Sequence, residues 1–121
     1  METPHPFHER CLEFSAGILV LTSELRKNRS LGSIADQLIR SGTSVGANTQ
    51  EARSAESRAD FVHKIQVALK ELRETGYWLA LIEKSKLLKY PSLDALRREC
   101  NELTAMLVAS VKTAKRNSGN I

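Results

Sequence analysis

The chain has 121 residues and a mass of 13.5 kDa, the size of a single domain built around one core. It is 41% hydrophobic and 26% charged with only 6 Gly and 3 Pro, which excludes collagenous, low-complexity and disordered classes. Net charge is +4, and the excess lies in the second half: basic against acidic residues number 4 to 4 over 1–30, 3 to 4 over 31–60, 6 to 3 over 61–90 and 5 to 3 over 91–121. Such a surplus favours acidic partners without demanding them.

Four amphipathic segments follow one another. Phe7, Cys11, Phe14, Ile18, Leu21 and Leu25 step by alternating fours and threes, which places them on one helical face and predicts a first helix over 7–27. Leu31, Ala35, Leu38, Gly42, Val45, Thr49 and Ala52 repeat the step and predict a second over 31–53, with Ser30 before it as a start signal. Small and hydroxyl residues alternate with the aliphatic ones in this second seam, and Ser41, Gly42, Ser44 and Gly46 are poor helix formers. Two readings stand there: a continuous helix that lets a neighbouring backbone approach closely, or a kink or short loop near 42–46.

Phe61, Ile65, Ala68, Leu72, Thr75, Leu79 and Ile82 form the third seam. It predicts a helix over 57–88, opened by Ser57 with Asp60 three residues later in the manner of a capping box. Pro91-Ser92 then separates it from a fourth helix over 92–116, with Leu93, Leu96, Cys100, Leu103, Leu107, Ser110 and Ala114 on its seam and a fraying tail after Lys115. A period of 3.5 belongs to helices packed nearly parallel or antiparallel, and short links make consecutive helices antiparallel. The expected fold is therefore an all-α, antiparallel up-down-up-down four-helix bundle occupying 1–121 as a single domain.

The outward sides carry the remaining information. On the second segment Arg40, Ser44 and Glu51 point away from the seam, with Asn48 at its boundary. On the third the outer side reads His63, Gln66, Lys70, Arg73, Glu74, Tyr77, Leu81, Lys84 and Leu88, basic at first and apolar toward its end. The run Tyr77 to Ile82 is apolar around the whole circumference, more than one bundle buries, so it reads as a subunit interface or as scattered surface apolar residues.

No P-loop, GxGxxG, HExxH or di-iron Glu-x-x-His pattern occurs, and no serine lies in an acyl-transfer context, so neither an enzyme nor a cofactor is expected. His5, His8 and Cys11 are spaced by threes, but Pro4 and Pro6 place His5 outside the helix and Cys11 faces the core, so no metal site is expected. Cys11 and Cys100 both fall on apolar seam positions and read as reduced core thiols. Apolar runs such as Ile18–Leu21 are too short to span a bilayer, and the first ten residues lack a basic and an apolar leader region. The expectation is a cytoplasmic protein without membrane contact.

The stretch from Arg40 through Ser-Gly-Thr-Ser-Val-Gly-Ala-Asn-Thr-Gln-Glu to Ala52, then Ser57 to Phe61 and Ala68 to Leu79, resembles the four helix bundle protein family. That family includes proteins encoded in intervening sequences of bacterial 23S ribosomal RNA genes and is similar to the accessory variability determinant of diversity-generating retroelements. The resemblance implies a bacterial homo-oligomer, a ring-like pentamer, without known catalytic activity. It also implies, from relatives of the retroelement type, association with RNA or DNA and with a protein partner such as a reverse transcriptase. The family's recurring Ser, Asn and Glu fall on Ser44, Asn48 and Glu51. Asn48-Thr-Gln-Glu51-Ala52 departs from the common Asn-Ile-Ala-Glu-Gly, which extends the second helix to Arg53.

Two function readings result. In the first, His63, Lys70, Arg73, Tyr77 and Lys84 bind nucleic acid weakly, cations on phosphates and the Tyr77 ring on a base, with Glu74 on that side subtracting from the field. Arg40, Ser44, Asn48, Glu51, Trp78 and Leu81 then act as family-motif or interface residues between subunits. In the second, the same stripes bind only further copies or a protein partner, and the molecule is a scaffold.

Overall fold

The computed structural model describes residues 6–119 and contains four helices: α1 Pro6–Leu25, α2 Gly32–Ala52, α3 Arg58–Ser85 and α4 Leu93–Gly119. No strand occurs among the described residues. Contacts across each seam give the helix directions. Ser15 reaches Gly42 while Arg26 reaches Asp36, and Arg40 meets Glu71 and Glu74 while Glu51 meets Lys64. Cys100 touches Leu72 while Arg97 meets Glu83, and Arg10 meets Glu99 and Glu102 while Gly17 faces Leu96. Along every seam one number falls as the other rises, so all four neighbouring pairs are antiparallel. α1 and α3 each pack against α2 and α4 and lie diagonally from one another. This is the up-down-up-down bundle that the 3.5-residue period predicts.

The four seams form one core. Cys11, Phe14, Ile18, Leu21 and Leu25 of α1 are buried against Leu38 and Val45 of α2, Leu72 and Leu79 of α3, and Leu103 and Leu107 of α4. Burying each Leu or Ile of that set stabilises the fold by about 1.5–3 kcal/mol relative to exposure. Off the predicted seams, Leu69 and Val111 are also buried. α3, with 28 residues, is about 42 Å long and sets the height of the bundle.

α2 runs without a break through the segment that propensity disfavours. Its small residues do admit a close neighbour, but the neighbour is chiefly side chain rather than backbone. A Cβ on Gly42 would lie 2.7 Å from Ile18 Cγ2, and one on Gly46 would lie 3.0 Å from Ser15 Oγ and 3.6 Å from the Cys11 carbonyl. The Ser15 hydroxyl donates to the Gly42 carbonyl at 2.8 Å, so the close approach is also hydrogen-bonded. On the opposite side of α2, Thr75 donates to the Glu71 carbonyl at 2.8 Å, which leaves its oxygen to accept from the Ser41 hydroxyl 2.9 Å away.

Several boundaries differ from the sequence reading. Ser30 does not cap α2; it lies inside a 3-10 turn, Arg29–Leu31, where Asn28 Oδ1 accepts from the Ser30 N–H. α1 correspondingly ends at Leu25 rather than 27, and α2 at Ala52, with Arg53 as its C-cap. Ser57 does cap α3, accepting from the Asp60 N–H at 3.0 Å, while the Asp60 carboxylate reaches back to the Glu56 N–H. α3 stops at Ser85 instead of 88 because Lys86 turns into the left-handed region at φ 58°. Leu88 is therefore not on the outer side of a helix; with Tyr90 it folds over the end of the core. Past Lys115, where a frayed tail is expected, α4 continues to Gly119. Residues 120 and 121 lie outside the described residues, as does His5.

Cys11 and Cys100 are buried free thiols, as their seam positions predict. Burial pushes each up to about 11, with a hydroxyl bond from Thr49 partly opposing the shift at Cys11. Folding thus favours the protonated thiols, and their contribution is complete below the unfolded-chain value near 8.5. Both thiols are expected to resist an aromatic disulfide reagent in the native protein and to react on unfolding, and the denaturation midpoint should fall as pH rises from about 9 to 11. A thiol modified rapidly without unfolding would contradict this placement.

Two glycines give opposite expectations for one chemical change. Gly42→Ala gains about 1 kcal/mol of helix propensity but forces a methyl into Ile18 at a cost of roughly 1–3 kcal/mol, a net loss on the order of 1 kcal/mol. Gly32 begins α2 with nothing within 4 Å of an added Cβ, so Gly32→Ala should stabilise by about 0.5 kcal/mol. Urea denaturation of both variants checks the contrast.

Candidate functional site

His63, Lys70, Arg73, Tyr77 and Lys84 are all exposed on α3, along a stripe of about 31 Å. They do not converge on one pocket. Arg73 turns toward α4 and lines a cleft with Gly76, Arg97, Asn101 and Thr104. One end of the same groove is lined by Arg58, His63 and Gln66 of α3 with Lys115 of α4. Lys70, Tyr77 and Lys84 instead occupy the outward corner of α3. None of Lys70, Arg73 and Lys84 has an acidic partner within ion-pair distance among the described residues.

Glu74, which the sequence reading sets against this basic stripe, faces the other way. Its carboxylate accepts from the Arg40 guanidinium on α2 and from Trp78 Nε1 at 3.1 Å. Arg40 also donates to Glu71 at 2.9 Å, so one α2 cation neutralises two α3 acids. Trp78 is half-buried by this arrangement and meets the Tyr77 ring edge-on at 5.0 Å between centroids.

The rest of the motif set is likewise engaged inside the chain. Ser44 donates to the Arg40 carbonyl at 2.6 Å, Asn48 to the Ser44 carbonyl at 2.9 Å, and Glu51 accepts from Lys64 at 3.0 Å. That hydrogen bond raises the Lys64 pKa. The α2–α3 seam is thus bridged by the Arg40 and Lys64 ion pairs, while the Ser44 and Asn48 bonds stay within α2. The sequence reading places Arg40, Ser44, Asn48 and Glu51 on or beside the outer face, for contacts between subunits or in a central lumen or as a solvated face, and within one bundle each also has a hydrogen-bond partner.

Exposed large apolar side chains stand on α3, on α1 and, at Leu87, in the connection from α3 to α4. On α3 Tyr77 is 59% and Leu81 38% exposed, while Leu79 and Ile82 from the same run are core residues. On α1 Leu12, Leu19 and Val20 are 55%, 50% and 60% exposed. The sequence reading missed this second stripe, although its signal was present: all three residues lie off the Phe7-to-Leu25 seam. Exposed Glu9 and Glu13 flank Leu12. The cations Arg58, Arg97 and Lys115 were also missed: Arg58 opens α3 itself, five residues before His63, and only the antiparallel register of α3 and α4 brings Arg97 and Lys115 beside Arg73 and His63.

His8 and Cys11 are both buried, and the Cys11 thiol is engaged by Thr49. Among the described residues no three His, Cys, Asp or Glu side chains are grouped to hold a metal ion, and no helix is long and apolar enough to cross a membrane.

The comparisons with known proteins agree with this architecture. No curated protein matches the chain. A crystal structure of a protein of unknown function from the S23 ribosomal protein family of Bacteroides thetaiotaomicron superposes with a TM-score of 0.82 at 35% identity, covering 88% of this chain and 98% of that one. The family model described as 23S rRNA-intervening sequence protein matches residues 7–109, nearly all of the bundle, and the chain belongs to that family.

Proposed function

We propose that this protein is a non-enzymatic, cytoplasmic homo-oligomer that associates weakly with nucleic acid. The observation that carries the reading is the exposed α3 side, where Lys70, Arg73 and Lys84 have no acidic partner within ion-pair distance among the described residues. Elsewhere on the bundle Arg10, Arg26, Arg40 and Lys64 are all paired. Unpaired cations on a rigid helix release counterions when they meet phosphates, and a ring would repeat the surface so that feeble contacts act together.

Assembly rests on a second observation. The apolar stripes of α1 and α3 stand on diagonal corners and carry opposite charges, Glu9 and Glu13 beside Leu12, and Lys70 and Lys84 beside Tyr77 and Leu81. Two different complementary surfaces on opposite sides favour head-to-tail association, which closes into a ring when the rotation allows. A pentamer, implied by the family resemblance, is the expected closure. If copies cover the cationic side of α3 from its outward corner through Arg73, the scaffold reading takes precedence, with a protein partner such as a reverse transcriptase in place of nucleic acid.

Light scattering should give a mass of five protomers, and Leu19→Glu should lower it toward 13.5 kDa with helicity unchanged. A wild-type protein that is 13.5 kDa at micromolar concentration overturns the assembly. Labelled single- and double-stranded RNA and DNA should be shifted at about 50 mM salt, with affinity falling at least tenfold by about 200 mM and little dependence on sequence. No shift at the lower salt would leave the scaffold reading.

A further inference from the structure

We infer that the groove between α3 and α4 is the track for the phosphate backbone of a single nucleic-acid strand. This rests on the nucleic-acid reading above and moves its centre from the outer corner of α3 to the seam beside it. The first support is the distribution of charge over the four seams. Between α1 and α2, Arg26 is matched by Asp36, and between α2 and α3, Arg40 and Lys64 face Glu71, Glu74 and Glu51. Between α4 and α1, Arg10 lies between Glu99 and Glu102. At the α3–α4 seam only Arg97 has an acid, Glu83 at 2.5 Å, while Arg58, Arg73 and Lys115 have none within ion-pair distance among the described residues. The α3–α4 groove thus gathers Arg97 and three cations without acidic partners, while other unpaired cations such as Arg29, Arg53, Arg98 and Lys112 are exposed elsewhere on the described surface.

The shape of that groove is the second support. It holds two clefts with apolar floors and polar rims, one where Arg58, His63, Gln66 and Lys115 surround Ala59 and Val62 and one where Arg73, Arg97, Asn101 and Thr104 surround Leu72 and Cys100. Gly76 opens the floor of the second, where an added Cβ would sit 3.3 Å from Cys100 Sγ. His63 and Arg73 are about 15 Å apart along α3, too far for one phosphate to bridge and roughly the span of phosphates two to three nucleotides apart on one strand. Helices in contact lie 8–10 Å apart, so the groove between them seats one backbone, not the full width of a duplex. The amide of Asn101 adds a neutral donor for phosphate oxygens, whereas the Thr104 hydroxyl donates to the Cys100 carbonyl at 2.7 Å. In the next cleft along, beyond Arg97, Glu83 and Asp94 are matched by Lys86 and Lys89, so the excess of cations over acids does not extend into it.

The test is fluorescence anisotropy with labelled oligothymidylate of roughly 12 nucleotides, within the site sizes of single-strand binders, and with a duplex of the same length, at about 50 mM salt. Arg73→Gln and Lys115→Gln should each weaken oligothymidylate binding several-fold and reduce the slope of log affinity against log salt by about one. Arg29→Gln, which removes the same charge from the turn between α1 and α2, should stay within about twofold of wild type. The replaced side chains are exposed, and thermal melts that coincide with wild type show that the fold is retained. If wild type binds but Arg73→Gln and Lys115→Gln match it, or if Arg29→Gln loses as much as they do, the groove is not the track although the nucleic-acid reading survives. Equal affinity for the duplex overturns the single-strand assignment. Wild type that binds neither probe overturns the groove and the nucleic-acid reading together.

Discussion

The contact on which the bundle depends is the close approach of α1 to α2, where Ile18 packs into the space above Gly42 and Ser15 bonds the Gly42 carbonyl. A methyl group at Gly42 would meet Ile18 inside van der Waals distance, so the absence of a side chain fixes both how near the helices come and which turns face each other. A buried hydroxyl that finds its acceptor adds direction to that packing, since sliding α1 by one turn would leave Ser15 unsatisfied. The register set there brings Arg26 to Asp36 on the same seam. On the far side of α2 the Ser41–Thr75 pair plays the equivalent part for α3. α2 is thus the helix against which its neighbours are aligned, and its poor intrinsic propensity is offset by tertiary contacts on both flanks.

Electrostatics then divides the surface unevenly. Arg40 takes up Glu71 and Glu74 at once, and Arg10 is held between Glu99 and Glu102, where hydrogen bonding to Glu99 raises its pKa further. Exposed pairs of this kind contribute little stability, about 0–1 kcal/mol each. Their larger effect is on the field, because they withdraw acids from some seams and leave cations uncompensated at another. The hydrogen bond from Arg97 holds the Glu83 carboxyl below its usual range, so that acid stays ionised at the end of the α3–α4 groove.

Two uses of α3 compete for neighbouring surface. Tyr77 and Leu81 stand on the outward corner, whereas Arg73 leans into the groove beside it and Trp78 leans the other way, toward α2. Because a helix turns by about 100° per residue, adjacent side chains such as Tyr77 and Trp78 serve different neighbours. An assembly that covers the corner would leave the groove open, so the proposed association with further copies and the proposed association with a nucleic-acid strand do not exclude each other. The α1 stripe of Leu12, Leu19 and Val20 gives the corner a surface of matching character on the opposite side of the molecule.

The sequence by itself determined the helix number, the seam residues, the burial of both cysteines and the Ser57 cap, because each follows from local periodicity or from side chains within one turn of the groups they satisfy. Local pattern also sufficed to place His63, Lys70, Arg73, Tyr77 and Lys84 on the surface of α3. It did not reveal that Glu74 turns to Arg40 and Trp78, or that α3 breaks at Lys86 while α4 passes the expected tail. Nor did it bring Lys115 and Arg97 to the α3 cations. Those outcomes depend on the register between helices distant in sequence, which is decided by packing at Gly42, Gly46 and Gly76 and by buried hydroxyl pairs. One helix's period fixes which residues share a face, but only the tertiary structure decides which face of another helix they meet.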